Sequence, residues 1–198
     1  MEVLNSIEES RQWRAAQKGS VGFIPTMGAL HEGHLSLVRL AKQQCKNTIV
    51  SIFINPKQFA ENEDFASYPQ TIKQDLRSLE IEAVDAVFLP RVSQLYKDNK
   101  EDYSFNTPLA FKLEGKSRPL FFKGVTTVVH KLFLIVKPTH TVFGQKDAQQ
   151  LLIIKQMISE NKYGITLIEG PSIRNEKGLA LSSRNNYLNQ GEQNMASN

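Results

Sequence analysis

Strand-like and helix-like signals alternate along this 198-residue chain and predict an α/β fold, a parallel sheet with helices on both faces. Three observations carry that prediction. Thr48-Ile-Val-Ser-Ile-Phe-Ile-Asn55 is a near-continuous apolar run, the style of a strand buried on both faces. Residues 124–136 look strand-like in composition, yet Val125, Val128, Val129, Leu132, Phe133 and Val136 fall at offsets 0, 3, 4, 7, 8 and 11, which is helix spacing over three turns. Polar clusters at 26–34, 55–59, 144–147 and 172–174 each follow a predicted strand, and in such sheets ligands bind beyond the carboxyl ends of the strands. One composite site is the economical reading of the four.

The elements follow in order. Residues 6–18 carry mixed charge with Ile7, Trp13, Ala15 and Ala16, a leading helix ended near Gly19. Residues 21–26 form the first strand, broken by Pro25 and Gly28. From Gly33 the set Leu37, Val38, Ala41 and Cys45 recurs at helical spacing and puts Cys45 on the buried face as a small core residue. Asn55-Pro56 stops the next strand, and 57–66 reads as a polar loop. Pro69 reads as an early helix residue, with the helix running to about Leu79. Residues 83–89 form a short strand ended by Pro90, and the alternation of Tyr103, Phe105 and Thr107 predicts an edge strand. Pro138 closes the helix of 124–136. Residues 141–143 form a strand, 144–147 a turn, and Asp147 caps a helix running to about Glu160 on the face of Leu151, Ile154 and Ile158. Residues 165–168 form the last strand, and from Asn185 the chain turns polar.

Composition bounds the function. Hydrophobic residues at 40% and charged residues at 22% describe a soluble globular protein. No run of 18 apolar residues occurs, so no membrane span is expected, and the acidic start lacks the order of a signal peptide. One cysteine excludes an internal disulfide framework and favours a reducing, cytoplasmic setting. A formal charge of +4 without a block of five Lys or Arg suits a small anionic ligand better than a nucleic-acid backbone.

The chemistry is concentrated in Pro25-Thr-Met-Gly-Ala-Leu-His-Glu-Gly-His34. A strand that turns through glycine into a helix start gathers unpaired amides and the positive end of the helix dipole. Imidazoles at His31 and His34 would project toward a phosphate held there, as hydrogen-bond donors or as cations, and would stabilise charge growing on a phosphoryl oxygen. Capping or core histidines remain the alternative. A two-ligand metal site is weaker, because His130 reads as solvated on its helix and His140 as a loop residue, so no third ligand is evident.

That decapeptide resembles the ATP-binding HxGH motif of the pantoate–β-alanine ligase (pantothenate synthetase) family, nucleotidyltransferases related to class I aminoacyl-tRNA synthetases. The resemblance continues through Phe53-Ile-Asn-Pro-Lys-Gln-Phe59, Asn62-Glu-Asp-Phe65, Arg118-Pro119, Lys123-Gly-Val-Thr-Thr-Val-Val129, Phe143-Gly-Gln-Lys-Asp-Ala-Gln-Gln-Leu151 and Gly178-Leu-Ala-Leu-Ser-Ser-Arg-Asn185. It departs at Leu120 and Phe121, where many members have glycine and histidine, and at Gln70, where arginine is common.

The resemblance implies a Rossmann-like domain that condenses (R)-pantoate with β-alanine through pantoyl adenylate, releasing AMP and pyrophosphate. It implies an ATP site made by Met27, Gly28, Ala29, Leu30, His31, Glu32, Gly33 and His34, with His34 as the proton donor and His31 its partner on the phosphates. Gly144, Gln145, Lys146 and Asp147 would continue it, Asp147 at the ribose and Lys146 at phosphate, with Ile173 beside adenine. Leu181, Ser182, Ser183 and Arg184 would form a phosphate-binding loop. Gln58 would hold pantoate and receive β-alanine, and Gln150 would hold pantoate from the other side; by composition alone both read as surface glutamines. Mg2+ would accompany ATP, with no protein ligands assigned and Asp64 and Asp75 reading as surface charges. A homodimer through this domain is implied as well. Residues 1–184 would be the catalytic domain and 185–198 the start of a C-terminal lid domain, mostly absent, so that ATP binding would hold up better than full ligation. The other readings are an isolated ATP-binding fragment, or a related adenylyl transferase of the same fold.

Overall fold

Six short strands rich in Val, Ile and Phe pair into one all-parallel sheet of order β1-β4-β3-β2-β5-β6 in the computed structural model, which describes residues 1–96 and 103–197. In chain order the elements are β1 (Glu2–Leu4), α1 (Ile7–Ala16), β2 (Val21–Thr26), α2 (Glu32–Gln44), β3 (Asn47–Ile52), α3 (Ile72–Ile81), β4 (Ala86–Phe88) and α4 (Val92–Leu95). Then come α5 (Glu114–Ser117), α6 (Phe121–Val136), β5 (His140–Gly144), α7 (Ala148–Glu160), β6 (Thr166–Gly170) and α8 (Gln190–Ala196).

The central strands alternate between two cores, as a period of two requires. Phe23 and Ile49 face one core with Trp13, Val129, Phe133 and Met157 from α1, α6 and α7. Ile24 and Val50 face the other with Val38, Ala41 and Leu79 from α2 and α3. From β2 the chain steps outward one way through β3 and β4, then the other way through β5 and β6. The reversal lies between β2 and β5 and leaves a crevice at their carboxyl ends.

Most predicted elements stand within a few residues of their places, with the differences having local causes. The strand at 21–26 is not the first, because β1 precedes it; three residues are too few to show a period. The helix expected from Pro69 starts at Ile72, since Thr71 takes the N-cap position and turns its hydroxyl onto Asp75 at 3.2 Å. Residues 103–107 form no strand. Their alternation is real, with Phe105 and Thr107 buried, but it comes from an extended segment laid on helices: Thr127 Oγ1 donates to the Tyr103 carbonyl at 2.6 Å and Thr107 Oγ1 to Gln156 at 2.7 Å. His130 is only partly solvated; its ring stacks on Tyr103 at 3.9 Å and its Nδ1 lies 2.5 Å from the Tyr163 hydroxyl. His140 opens β5 rather than lying in a loop. Among the described residues no helix is long and apolar enough to cross a membrane.

Helix α6 approaches the Pro56–Gln58 turn at Gly124, where a Cβ would lie 2.0 Å from the Lys57 carbonyl oxygen. Helix propensity favours alanine over glycine by about 1 kcal/mol, but the clash is with backbone and costs more. Gly124→Ala should therefore lower stability by about 1–3 kcal/mol, read as a fall in the urea midpoint at unchanged slope. A rise in the midpoint would mean that the two elements are free to separate.

Candidate functional site

The loop after β2 makes two successive left-handed turns, Gly28 at φ 82° and Ala29 at φ 49°. An alanine there is strained, and the amides it exposes need partners. Asp75, 1% exposed on α3, supplies them by accepting from Ala29 N at 3.0 Å and Leu30 N at 2.8 Å. The chain then enters α2 with His31 as its N-cap.

A helix start has orphan amides, ordinarily capped by a serine or aspartate oxygen. Here two imidazoles do it reciprocally. His31 Nδ1 accepts from Gly33 N at 3.1 Å, and His34 Nδ1 accepts from the His31 amide at 3.3 Å. The rings lie 4.1 Å apart. A Cβ on residue 33 would sit 2.9 Å from His31 Cε1, which explains the glycine between them. Because a backbone N–H points at each Nδ1, each neutral ring carries its proton on Nε2.

Both rings are neutral. Burial pushes the His34 pKa down to about 3, helped by His31 and Lys146. Burial also lowers His31, with Lys146 adding to the effect and Asp147 opposing it. Of the two roles open to the pair, the structure supports hydrogen-bond donors rather than cations.

The rings stand on the wall of the crevice at the strand ends. Met27 and Gly33 line it beside them, and Gly144, Lys146, Asp147 and Gln150 line it from the end of β5 and the start of α7. Ile173 follows β6, and Leu181, Ser182, Ser183 and Arg184 close one side. The opposite wall is apolar, from Val125, Val128, Val129 and Leu132 of α6, with Gln58 and Gln150 both reaching the same space. Gln58 is 9% exposed, so it is no surface glutamine.

Five expected ATP-site residues do not line the crevice. Gly28 and Ala29 are buried in the turn itself, and Leu30 packs against the core of α2 and α3. Glu32 is exposed and pairs with Arg39. Gln145 is exposed and turns toward the Glu169 carboxylate. Asp147 occupies the N-cap position of α7, but its side chain makes no capping bond; it pairs with Lys146 at 3.0 Å.

Neither Asp64 nor Asp75 is a plain surface charge. Asp75 is the loop clamp, and Asp64 binds Arg184 through two 3.0 Å contacts and accepts from the Tyr187 hydroxyl, the guanidinium holding its carboxyl below the usual range. Ser183 is buried, its hydroxyl donating to the Ala29 carbonyl at 3.1 Å. Arg118 pairs with Glu63 at 2.5 Å and lies 3.9 Å over the ring of Phe121, a position where the sequence departs from the resemblance. Sequence reasoning assigned no role to Arg118 or Tyr68, which line the crevice, or to Asn55. Arg118 and Asn55 lie in the motifs that carry the resemblance, but the contacts that tie them to the site, Arg118 to Glu63 and Asn55 to Tyr96 and the Gly124 carbonyl, lie 41 to 69 positions away.

The family model described as pantoate-beta-alanine ligase matches residues 2–198. Pantothenate synthetase of Thermosipho melanesiensis is 50% identical over 199 residues, covering 99% of this chain and 71% of that protein. The Thermosipho africanus enzyme of the same name is 49% identical, covering 97% and 70%. The crystal structure of pantothenate synthetase from Thermus thermophilus superposes with a TM-score of 0.94 at 39% identity, covering all of this chain and 71% of that one. Pantoate-beta-alanine ligase from Francisella tularensis, solved with beta-gamma ATP and beta-alanine, superposes with a TM-score of 0.95 at 39% identity, over all of this chain and 77% of that one. By sequence along nearly its whole length, and by fold, this chain belongs to the pantoate–β-alanine ligase family.

Proposed function

We propose that this chain works as an ATP-dependent pantoate–β-alanine ligase in which the His31–His34 pair receives the phosphates of ATP and the Gln58–Gln150 pair receives the acid. In the first step a pantoate carboxylate oxygen attacks the α-phosphorus, pyrophosphate leaves, and pantoyl adenylate forms. In the second the β-alanine amine, unprotonated, attacks the acyl carbon, AMP leaves with the bonding electrons, and the nitrogen gives up one proton to solvent.

What carries this reading is the meeting, in one crevice, of two neutral rings with Nε2 donors and two amides beside an apolar wall. Charge builds on the α-phosphoryl oxygens as the carboxylate attacks, and a donor fixed by its own backbone bond needs no reorganisation to meet it. His34 serves as a hydrogen-bond donor, with His31 beside it. Lys146 and Arg184 bring positive charge to the triphosphate, and Asp147 suits ribose hydroxyls. Gly144 and Ile173 line the crevice where the base would lie. Pantoate has two hydroxyls, a carboxylate and a gem-dimethyl carbon; Gln58 and Gln150 suit the oxygens, and Val125, Val128, Val129 and Leu132 suit the methyls.

Mg2+ accompanies ATP in this reading. Among the described residues no three His, Cys, Asp or Glu side chains gather to hold a metal. A hard cation that rides on phosphate oxygens and keeps several waters needs no such cage. A homodimer, a cytoplasmic location and a catalytic domain at 1–184 followed by the start of a second domain at 185–198 complete the proposal.

Pantoate-dependent exchange of pyrophosphate into ATP tests it directly. Exchange that requires pantoate supports the ligase; exchange driven by another acid and not by pantoate overturns it in favour of a related adenylyl transferase. His34→Ala should slow the exchange by about 10²–10³-fold while ATP affinity changes little. A loss under tenfold would make His34 a cap and nothing more.

The neutral state of His34 also has a pH signature. The unfolded chain binds a proton at this residue below its ordinary value of 6.5, whereas the folded chain does so only near pH 3. The unfolded state then holds more protons, so stability rises with pH across that window, by up to about 1.4 kcal/mol per unit. Urea unfolding between pH 4.5 and 7.5 should show the slope, and His34→Gln should reduce it, leaving the smaller same-sign share of His31 and His130, whose pKa values burial also lowers. A parent protein equally stable at both ends would show that the ring is protonated in the fold.

A further inference from the structure

Asn55 follows β3 and is 0% exposed, and each polar site of its amide is used. Its Oδ1 accepts from the Tyr96 hydroxyl at 2.7 Å and from Lys57 N at 3.2 Å. Its Nδ2 donates to the Gly124 carbonyl at 3.1 Å and to Gln58 Oε1 at 3.0 Å. Turned over, the amide would set its own oxygen against the Gly124 carbonyl and its NH2 against the Lys57 N–H. Asn55 therefore has one orientation. That orientation dictates the next amide, since Gln58 must offer Oε1 to Asn55 and turn its NH2 away. Gln58 lines the crevice, and among the described residues its Nε2 makes no hydrogen bond. The Tyr96 ring lies beneath the Lys57 and Lys131 ammonium groups, at 4.6 and 5.4 Å from its centroid.

We propose that Tyr96 is a positioning residue: its hydroxyl braces Asn55, whose orientation the Gly124 carbonyl and the Lys57 amide set, and so helps hold Gln58 with its NH2 facing the crevice, where Gln58 meets the acid as a donor and selects for an acceptor oxygen. This rests on the reading that Gln58 binds pantoate. The two amides have different chemistry as a result. An acid that places a carboxylate or ether-like oxygen beside Gln58 is accepted, and one that places a bare N–H donor there meets another donor and is refused.

Two measurements test the relay. In labelled, ligand-free protein the Asn55 NH2 protons should exchange with water slowly and those of Gln58 quickly; equal or reversed rates overturn the orientation. In the exchange assay, Tyr96→Phe should raise the half-saturating pantoate concentration by about fivefold to tenfold and leave that for ATP within about twofold. Placed in a Gln58→Ala background, Tyr96→Phe should cost nothing further. An equal cost in both backgrounds, or an equal effect on ATP and pantoate, overturns the assignment. A parent protein that ignores pantoate would strike the ligase reading, while the proton-exchange rates would still decide the relay.

Discussion

The Asp75 carboxylate is the constraint on which the rest of the site depends. The Gly28–Ala29 turn places two successive amides where water cannot serve them, and an alanine at φ 49° costs about 1–2 kcal/mol by itself. A buried anion accepting both amides offsets that cost, since charge-assisted bonds are the stronger kind. The turn then sets the angle at which α2 begins, and with it the direction of both imidazoles. Ser183 bonds to the carbonyl of the same Ala29, so the loop at 181–184 is referenced to the same point. One carboxylate thus ties together the loop after β2, the start of α3 and the far side of the crevice.

Built on that turn, the histidine pair divides its nitrogens between structure and chemistry. Each Nδ1 is committed to a backbone N–H, which holds the ring in place and leaves Nε2 as the donor. The depressed pKa follows from burial beside Lys146, so the rings contribute oriented dipoles and leave net charge to the flexible cations. A neutral donor does not grip the ground state of a polyanion as a cation would. In the proposed reaction its benefit would grow as charge moves onto the phosphoryl oxygen, which is the differential binding that catalysis needs.

The sheet and the larger helices were legible because their signals are local and repeated: six apolar residues on one face of α6, and strands too apolar to lie anywhere but inside a parallel sheet. The helix start after the glycine turn was legible for the same reason, but the reciprocal capping by the two rings was weighed only as the alternative to phosphate contact. Residues 103–107 misled because any extended segment buried on one side alternates, whether its partner is a strand or a helix. Asp75 and Asn55 were invisible as site residues, since the amides that Asp75 binds lie 45 and 46 positions away and the Gly124 carbonyl lies 69 positions from Asn55. Gln58 and Gln150 came into view through the family motifs alone; a glutamine carries no periodic signal that says which way it faces.

The mouth of the crevice shows how strong pairs and weak pairs are distributed. Glu63 and Asp64 are neighbours in sequence, yet one binds Arg118 from the α6 side and the other Arg184 from the 181–184 loop. Arg118 is only one-fifth exposed, also donates to the Gln58 carbonyl and lies on Phe121, so three kinds of contact hold it. Arg184 is 45% exposed. An ion pair in that much water is worth about 0–1 kcal/mol, and a triphosphate carries several times the charge of one carboxylate. In the proposed reaction the phosphates can therefore take Arg184 from Asp64 at little cost, whereas Arg118 stays with the wall that carries Gln58. In that proposal the more exposed cation is the one that can move to the nucleotide, and the less exposed one stays on the wall that carries Gln58.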